Sequence, residues 1–484
     1  MQECNEIFGN KMPKKLIRKA EKTKKKYIKK FGDESSANYH LKAVNNDVLT
    51  DLMGVKVLEL SDKKLKLPDN AVIIGNIRMG FGHYRISIAM ASCAHALGYA
   101  PYWLDYCSFP TTGGKMIQHS NELYSMGSRW SQKYKLFNKF IWEPLNSEGF
   151  KKISYNVGDQ KNAELLVPII QDLPKDVPYV ATHVWPSQGA VHAGLTHVVN
   201  AIPDNWPMAL HLSEGALHTV QTPFAYLGYK KLNKMDKKEL KHMPDNTIFN
   251  VGHYIDHELV SNLKSDTKDR LNRLNKGQQL RFLMTVGGAG AQYPIFKSIV
   301  EFLMPYIKAK KVLLFINFGD HDGVYKKLLS EVKDYKQTST NFIDKWEEFN
   351  QFVLDLGDIS KTFEGIVSIV HKDIFKAVYS TNLLMRKSDL LITKPSELAY
   401  YPIPKMMIQR VGGHEYYGSV HASELGDGTF ECDTVEEISS MFNLLLESKE
   451  VLVEMNNNIL NLNKIGMYDG AYKVIKLAVN KKLD

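Results

Sequence analysis

The sequence predicts an α/β protein of two halves, each built around a parallel sheet. Short apolar runs alternate with helix-sized segments along most of the 484 residues. A strand, a glycine loop and a helix occur in that order near residue 75 and again near residue 285. The chain also exceeds the ~250–300 residues at which single cores stop growing.

Hydrophobic residues make up 44% and charged residues 24%, the composition of a folded globular protein. No apolar stretch approaches the ~20 residues of a membrane-spanning helix. Met1 to Gly9 has no secretory pattern, so the expected location is the cytoplasm, peripheral to a membrane if the basic segment below binds one. The cysteines Cys4, Cys93, Cys107 and Cys432 are scattered and contain no C-x-x-C pair, which suggests reduced thiols.

Residues 1–69 read as a basic segment and lead-in. Eleven Lys or Arg lie between Lys11 and Lys30 against the single acid Glu21, within a net charge of +9. Such a run suits an anionic surface, phospholipid or nucleic acid, or else is a solvated helix with no partner. Nucleic acid is set aside because no recognition motif accompanies the run.

The first half, 70–255, opens with the strand Asn70 to Gly75, the turn Gly80-Phe81-Gly82-His83 and a small-residue helix ending at Gly98. Pro101 to Asp105, Val177 to His183 and Thr196 to Ile202 are the next strands. The aromatic stretch containing Trp130, Tyr134, Phe137, Phe140 and Trp142 has the spacing of core packing or of a greasy acceptor surface. A hinge is expected within Val251 to Asn275. The second half, 256–484, repeats the pattern with Leu280 to Val286 and Gly287-Gly288-Ala289-Gly290. Lys311 to Asn317, Gly365 to Val370 and Asp389 to Thr393 follow as strands, and the last helices are Val435 to Ser448 and Tyr472 to Lys482.

A glycine turn between strand and helix lets backbone N–H groups face an anion. Gly80-x-Gly82 lacks the third glycine of the dinucleotide fingerprint, because Arg85 stands there, and it is no Walker loop. His83 beside Arg78 and Arg85 could stabilise a developing diphosphate, or could simply cap its helix. Past Asp389 to Thr393, Lys394 and Glu397 lie on a turn and short helix, where Glu397 could accept ribose hydroxyls or act as a cap. Val411 to Glu415 adds a glycine loop with Gly413, His414 and Glu415. Gly319-Asp320-His321-Asp322-Gly323 offers metal-ligand types but reads better as a polar turn, and the remaining histidines lack metal spacing, so no metal and no cofactor are expected.

From Ala71 to Ser448 the chain resembles the GT-B glycosyltransferases, in particular the MurG-like and monogalactosyldiacylglycerol synthase-like branch. Gly80 to Arg85 is similar to that branch's amino-terminal loop, and Thr182-His183 and Asn200 to Asp204 look like its next landmarks. Thr285 to Gly290 and Asp389 to Pro404 resemble its donor-domain segments, although the usual glycine pair is missing before Glu397. The resemblance implies two Rossmann-like domains facing across a cleft, the GT-B type, with acceptor held by the first and nucleotide-diphosphate sugar by the second. It implies an inverting hexosyltransferase with a lipid or glycan acceptor. His83 is then a base or a diphosphate stabiliser, and Asp204 is a second candidate base. Gly80, Gly82, Arg85, Gly287, Gly288, Lys394, Glu397, Gly413, His414 and Glu415 are the expected donor contacts. A nucleotide-sugar epimerase on the same fold and a non-catalytic nucleotide-sugar binding protein are the alternatives.

Overall fold

The computed structural model describes residues 5–78, 80–287, 292–358 and 361–480. It divides into two compact units: 1–257 with 412–414 and 467–484, and 258–411 with 415–466.

The first unit begins with a small hairpin, β1 (Glu6–Ile7) and β2 (Asn10–Lys11), followed by the helix Lys14–Phe31. Its main sheet contains β3 (His40–Asn45), β4 (Lys56–Ser61), β5 (Ala71–Asn76), β6 (Ala100–Asp105), β7 (Tyr179–Ala181), β8 (Val198–Ala201), β9 (Leu217–Val220) and β10 (Ile248–Asn250). The order is β10-β9-β8-β7-β5-β6-β4-β3. Only the β3–β4 pair is antiparallel. The sheet therefore starts well before Asn70, within what the sequence offered as a lead-in. His40–Asn45 escaped notice because its burial is mostly partial, and its polar composition hides an edge strand.

The inner strands are unbroken buried runs, as parallel strands covered on both faces must be. Gly75 is required where β5 passes β7: a Cβ there would lie 2.0 Å from the Tyr179 hydroxyl, which hydrogen-bonds the Tyr106 hydroxyl at 3.0 Å.

The basic segment is a packed helix. Ala20 is buried in it, Tyr27 stacks on Phe31, and Lys24 reaches Glu164 at 2.5 Å. Most of its other cations are exposed.

The last helix, Gly470–Asn480, belongs to the first unit although the sequence allots it to the second half. It packs on the helix Gly82–Ala96 and on β7 and β8. The Gly470 N–H donates to the His253 carbonyl at 3.0 Å, and the His253 N–H donates to the Met467 carbonyl at 2.7 Å.

The second unit has seven strands, all parallel: β11 (Leu280–Thr285), β12 (Val312–Asn317), β13 (Ser339–Ile343), β14 (Ile366–Val370), β15 (Leu390–Thr393), β16 (Lys405–Ile408) and β17 (Gly428–Cys432). Their order is β13-β14-β12-β11-β15-β16-β17. Both units are thus Rossmann-like α/β layers. Buried Arg270 ties the second together by donating to the Ser388, Pro402 and Met385 carbonyls at 2.9–3.2 Å. Among the described residues no helix is long and apolar enough to cross a membrane.

Candidate functional site

In an open parallel sheet the strand order reverses at one point, and the carboxyl ends of the two strands there leave a crevice for ligand. In the first unit β5 continues to β6 on one side and meets β7 on the other, so the reversal falls between β5 and β7. Two histidines stand at those strand ends.

Gly80, at φ +76°, makes the turn after β5 in a left-handed conformation that glycine adopts without strain. The helix Gly82–Ala96 starts at Gly82 with no side-chain cap, and His83 is its second residue. His83 therefore does not cap its helix. Its Nδ1 is 2.7 Å from the Thr182 carbonyl at the end of β7. With the proton on Nδ1 donated there, the neutral ring carries its lone pair on Nε2. Ser87, one helical turn on, binds the Thr182 hydroxyl at 2.8 Å and clasps the same strand end. Arg85 is buried rather than solvated.

His183 meets His83 edge to face, with ring centroids 4.9 Å apart, and packs the same way on Trp185 at 5.0 Å. Its Nδ1 accepts the Trp185 N–H at 3.2 Å and caps the helix Val184–His192. Burial holds the His183 ring well below the usual imidazole range, and His83 and His211 push in the same direction. His183 is a neutral wall of the site.

Asp204, after β8, is bonded to His211 Nε2 at 2.9 Å. Burial would raise its carboxyl, but His414, His211 and His83 outweigh burial and hold it well below the usual carboxylate range. Asn200 fixes the other partner by donating to the His211 carbonyl at 2.6 Å. Behind the histidines, buried Asp159 accepts the Trp185 indole N–H at 3.0 Å, and burial pushes its carboxyl up to about 7.

The second unit reverses between β11 and β15. Gly287 follows β11, and a Cβ there would come within 3.0 Å of Lys394 Cε, so the lysine stem lies against the glycine. Thr285 and Thr393 join the two strand ends at 3.1 Å. The Lys394 ammonium is ion-paired with Glu415, whose second oxygen accepts the Val411 N–H at 2.8 Å. Glu397 is half-buried at the start of the short 3-10 helix Glu397–Tyr400. Asp389 faces inward to the fold: Arg273 binds it at 2.9 Å and the Arg281 N–H at 2.8 Å, so it anchors β15.

The expected residues thus separate into two groups. His83 and Asp204 share the first unit's cluster, and Gly287, Lys394 and Glu415 share the second's. Gly413 and His414 group with the first unit, not the second. Gly288 lies outside the described residues. Gly319 to Gly323 is a turn leading into the helix Asp322–Glu331, and among the described residues no three His, Cys, Asp or Glu are grouped to hold a metal ion. Sequence reading left His183, His211, Trp185 and Asp159 without assigned roles. The available signal was positional, since His183 ends β7 as His83 follows β5.

Solved structures of similar fold include three α/β enzymes. A UDP-GlcNAc 2-epimerase from Neisseria meningitidis bound to UDP-GlcNAc is 12% identical, with 85% of this chain and 100% of that one covered and a TM-score of 0.46. An alpha,alpha-trehalose-phosphate synthase (UDP-forming) from Burkholderia vietnamiensis is 9% identical over 85% and 98%, with a TM-score of 0.42. A glycosyltransferase from Rickettsia africae is 12% identical over 85% and 97%, with a TM-score of 0.37. At the level of families, residues 6–231 match the model described as domain of unknown function DUF6937, and residues 243–479 match that described as domain of unknown function DUF6938. No curated protein matches the sequence.

Proposed function

We propose that the protein is a glycosyltransferase that moves a hexose from a nucleotide-diphosphate sugar to an acceptor hydroxyl with inversion. The observation that carries the reading is His83 at the first sheet's reversal, its Nδ1 bonded to Thr182 and its Nε2 set by that bond as the basic nitrogen. A base works best when its pKa lies near the working pH. An imidazole meets that requirement, whereas the Asp204 carboxylate is held too low to take a proton readily. His83 is therefore the base for the acceptor hydroxyl, and Asp204 with His211 is a fixed charge that favours the imidazolium formed.

The second unit binds the donor. Lys394 and the backbone at Gly287 take the diphosphate, which competes with Glu415 for the ammonium, and Glu397 accepts the ribose hydroxyls. The likeness of Asp389 to Pro404 to the donor segment of MurG-like enzymes supports this division. The test is nucleoside-diphosphate release from a panel of UDP-, GDP- and TDP-hexoses, with and without lipid and glycan acceptors. Release that needs acceptor supports transfer. An altered sugar on the nucleotide without acceptor would mean epimerisation, and tight donor binding with no turnover on any acceptor would mean a binding protein.

The acceptor is lipid-borne and the protein docks on an anionic bilayer. Exposed apolar side chains recur along the helix Thr112–Lys133 and beyond it: Leu123, Trp130, Tyr134, Leu136, Phe140 and Ile141. Arg129, Lys133, Lys135 and Lys139 are interleaved with them, and no acid occurs from Leu123 to Ile141. Apolar and aromatic groups at the acyl boundary with cations at the headgroups are what an interfacial segment needs. Trp142, just past this stretch, is buried and packs against Gly127. Phe140→Asp with Trp130→Asp should abolish co-sedimentation with phosphatidylglycerol vesicles. Undiminished co-sedimentation would remove this surface from the reading.

A further inference from the structure

A cavity of about 480 Å³ lies in the first unit, away from the histidine cluster. His183 caps the start of the helix Val184–His192, and His192 at its other end lines the cavity. Nine residues at 1.5 Å each set the two ends roughly 13 Å apart. The volume is in the range of small-molecule sites.

The cavity is built rather than incidental. Its roof is the loop 32–38, which is tied down at both ends. The Thr112 N–H donates to Glu34 at 2.8 Å, and the Thr112 hydroxyl donates to the Gly32 carbonyl at 2.8 Å. On the far side Gln171 donates to the Ala37 carbonyl at 2.7 Å, and the Tyr39 N–H donates to the Pro168 carbonyl at 3.0 Å.

Its lining selects a class of ligand. Lys24 and Lys175 face three carboxylates, Asp33, Glu34 and Glu164. Both ammoniums are already engaged, Lys24 on Glu164 and Lys175 on the Gln171 carbonyl, each at 2.5 Å. Burial holds the His192 ring low, so it adds no positive charge. A phosphate or other anion would meet a net negative wall, and a cation would meet two lysines. A wholly apolar guest would strip water from five charged groups with nothing in return. Hydroxyl groups fit, because each both donates and accepts and so bridges carboxylate, ammonium and the Asn38 amide together. Ile28, Val167 and Pro168 provide apolar surface for the C–H faces of a ring.

We propose that this cavity is a carbohydrate-binding site for a neutral sugar of one or two rings, separate from the site of group transfer. It stands independently of the reaction proposed above, since it needs neither donor nor turnover.

The test is titration calorimetry of the full-length protein with glucose, galactose, mannose, N-acetylglucosamine, maltose, lactose and cellobiose, with inorganic phosphate as the rival probe. At least one sugar should bind saturably. Ser35→Trp, which fills the mouth of the cavity, should weaken that binding at least about tenfold, as loss of a packed and hydrogen-bonded face would. Asn38→Ala should weaken it in the same direction without added bulk, and both variants should keep the wild-type melting temperature. The proposal is overturned if no sugar binds, if phosphate binds in their place, or if binding persists in either variant that retains its melting temperature.

Discussion

The two sheets reverse at equivalent points but present different chemistry there. The first ends in the edge-to-face rings of His83 and His183, with the Asp204–His211 pair close by. The second ends in a glycine, a lysine stem and the Lys394–Glu415 ion pair. One architecture thus carries two different sets of side chains at its switch points. Location at a switch point predicts that something binds, and the residue types decide what is done with it.

Substitutions at the two ends should separate these roles. His83→Ala should lower kcat by ~10²–10⁴-fold, the range for loss of a general base, with little change in donor Kd. Equal losses in kcat and affinity would place His83 in binding instead. Lys394→Ala should do the reverse and weaken donor binding by roughly 10–100-fold, the worth of a charge-assisted bond, as read by calorimetry. Unchanged donor affinity would take the second unit's group out of the donor site.

A structural contrast should follow in size. Gly75→Ala forces a methyl against the Tyr179 hydroxyl and should destabilise the first unit by about 1–3 kcal/mol. Calorimetric unfolding should show the shift, and an unchanged melting profile would mean that Tyr179 moves aside freely.

The last prediction concerns pH. Burial raises the Asp159 carboxyl to about 7, above its unfolded value near 4. Between those values the folded chain holds a proton that the unfolded chain has released, so stability falls as pH rises through that window. Asp159→Asn keeps an acceptor for the Trp185 indole but cannot ionise. Its stability relative to wild type should increase from pH 4 to pH 7 and level off above. A difference independent of pH would show that Asp159 does not titrate there.

How much of this was legible in the sequence follows from its physics. Inner strands such as Ala71–Asn76 and Val312–Asn317 announce themselves because both faces are buried and every residue before the closing asparagine is apolar or glycine. Edge strands such as His40–Asn45 and Ser339–Ile343 do not, since their exposed faces carry polar residues like those of loops. His83 was found from its local turn. Its partner Thr182 lies 99 residues away, and a bond over that separation leaves no local pattern. The basic run was visible as charge, but its buried seam of Ala20 and its pairing with Glu164 were not. The spacing of the aromatic stretch fits either core packing or a greasy surface, and the exposure of Trp130, Tyr134 and Phe140 decides for the surface.

The return of Gly470–Asn480 to the first unit has a consequence for synthesis. Domains emerging from the ribosome usually close in order, amino-terminal first. Here the first unit lacks the helix that covers Gly82–Ala96 until Gly470–Asn480 has been made, whereas the second unit has all its strands by Cys432. The half begun first is closed only after the other's sheet is complete, and the helix that carries His83 is covered by one made about 370 residues later.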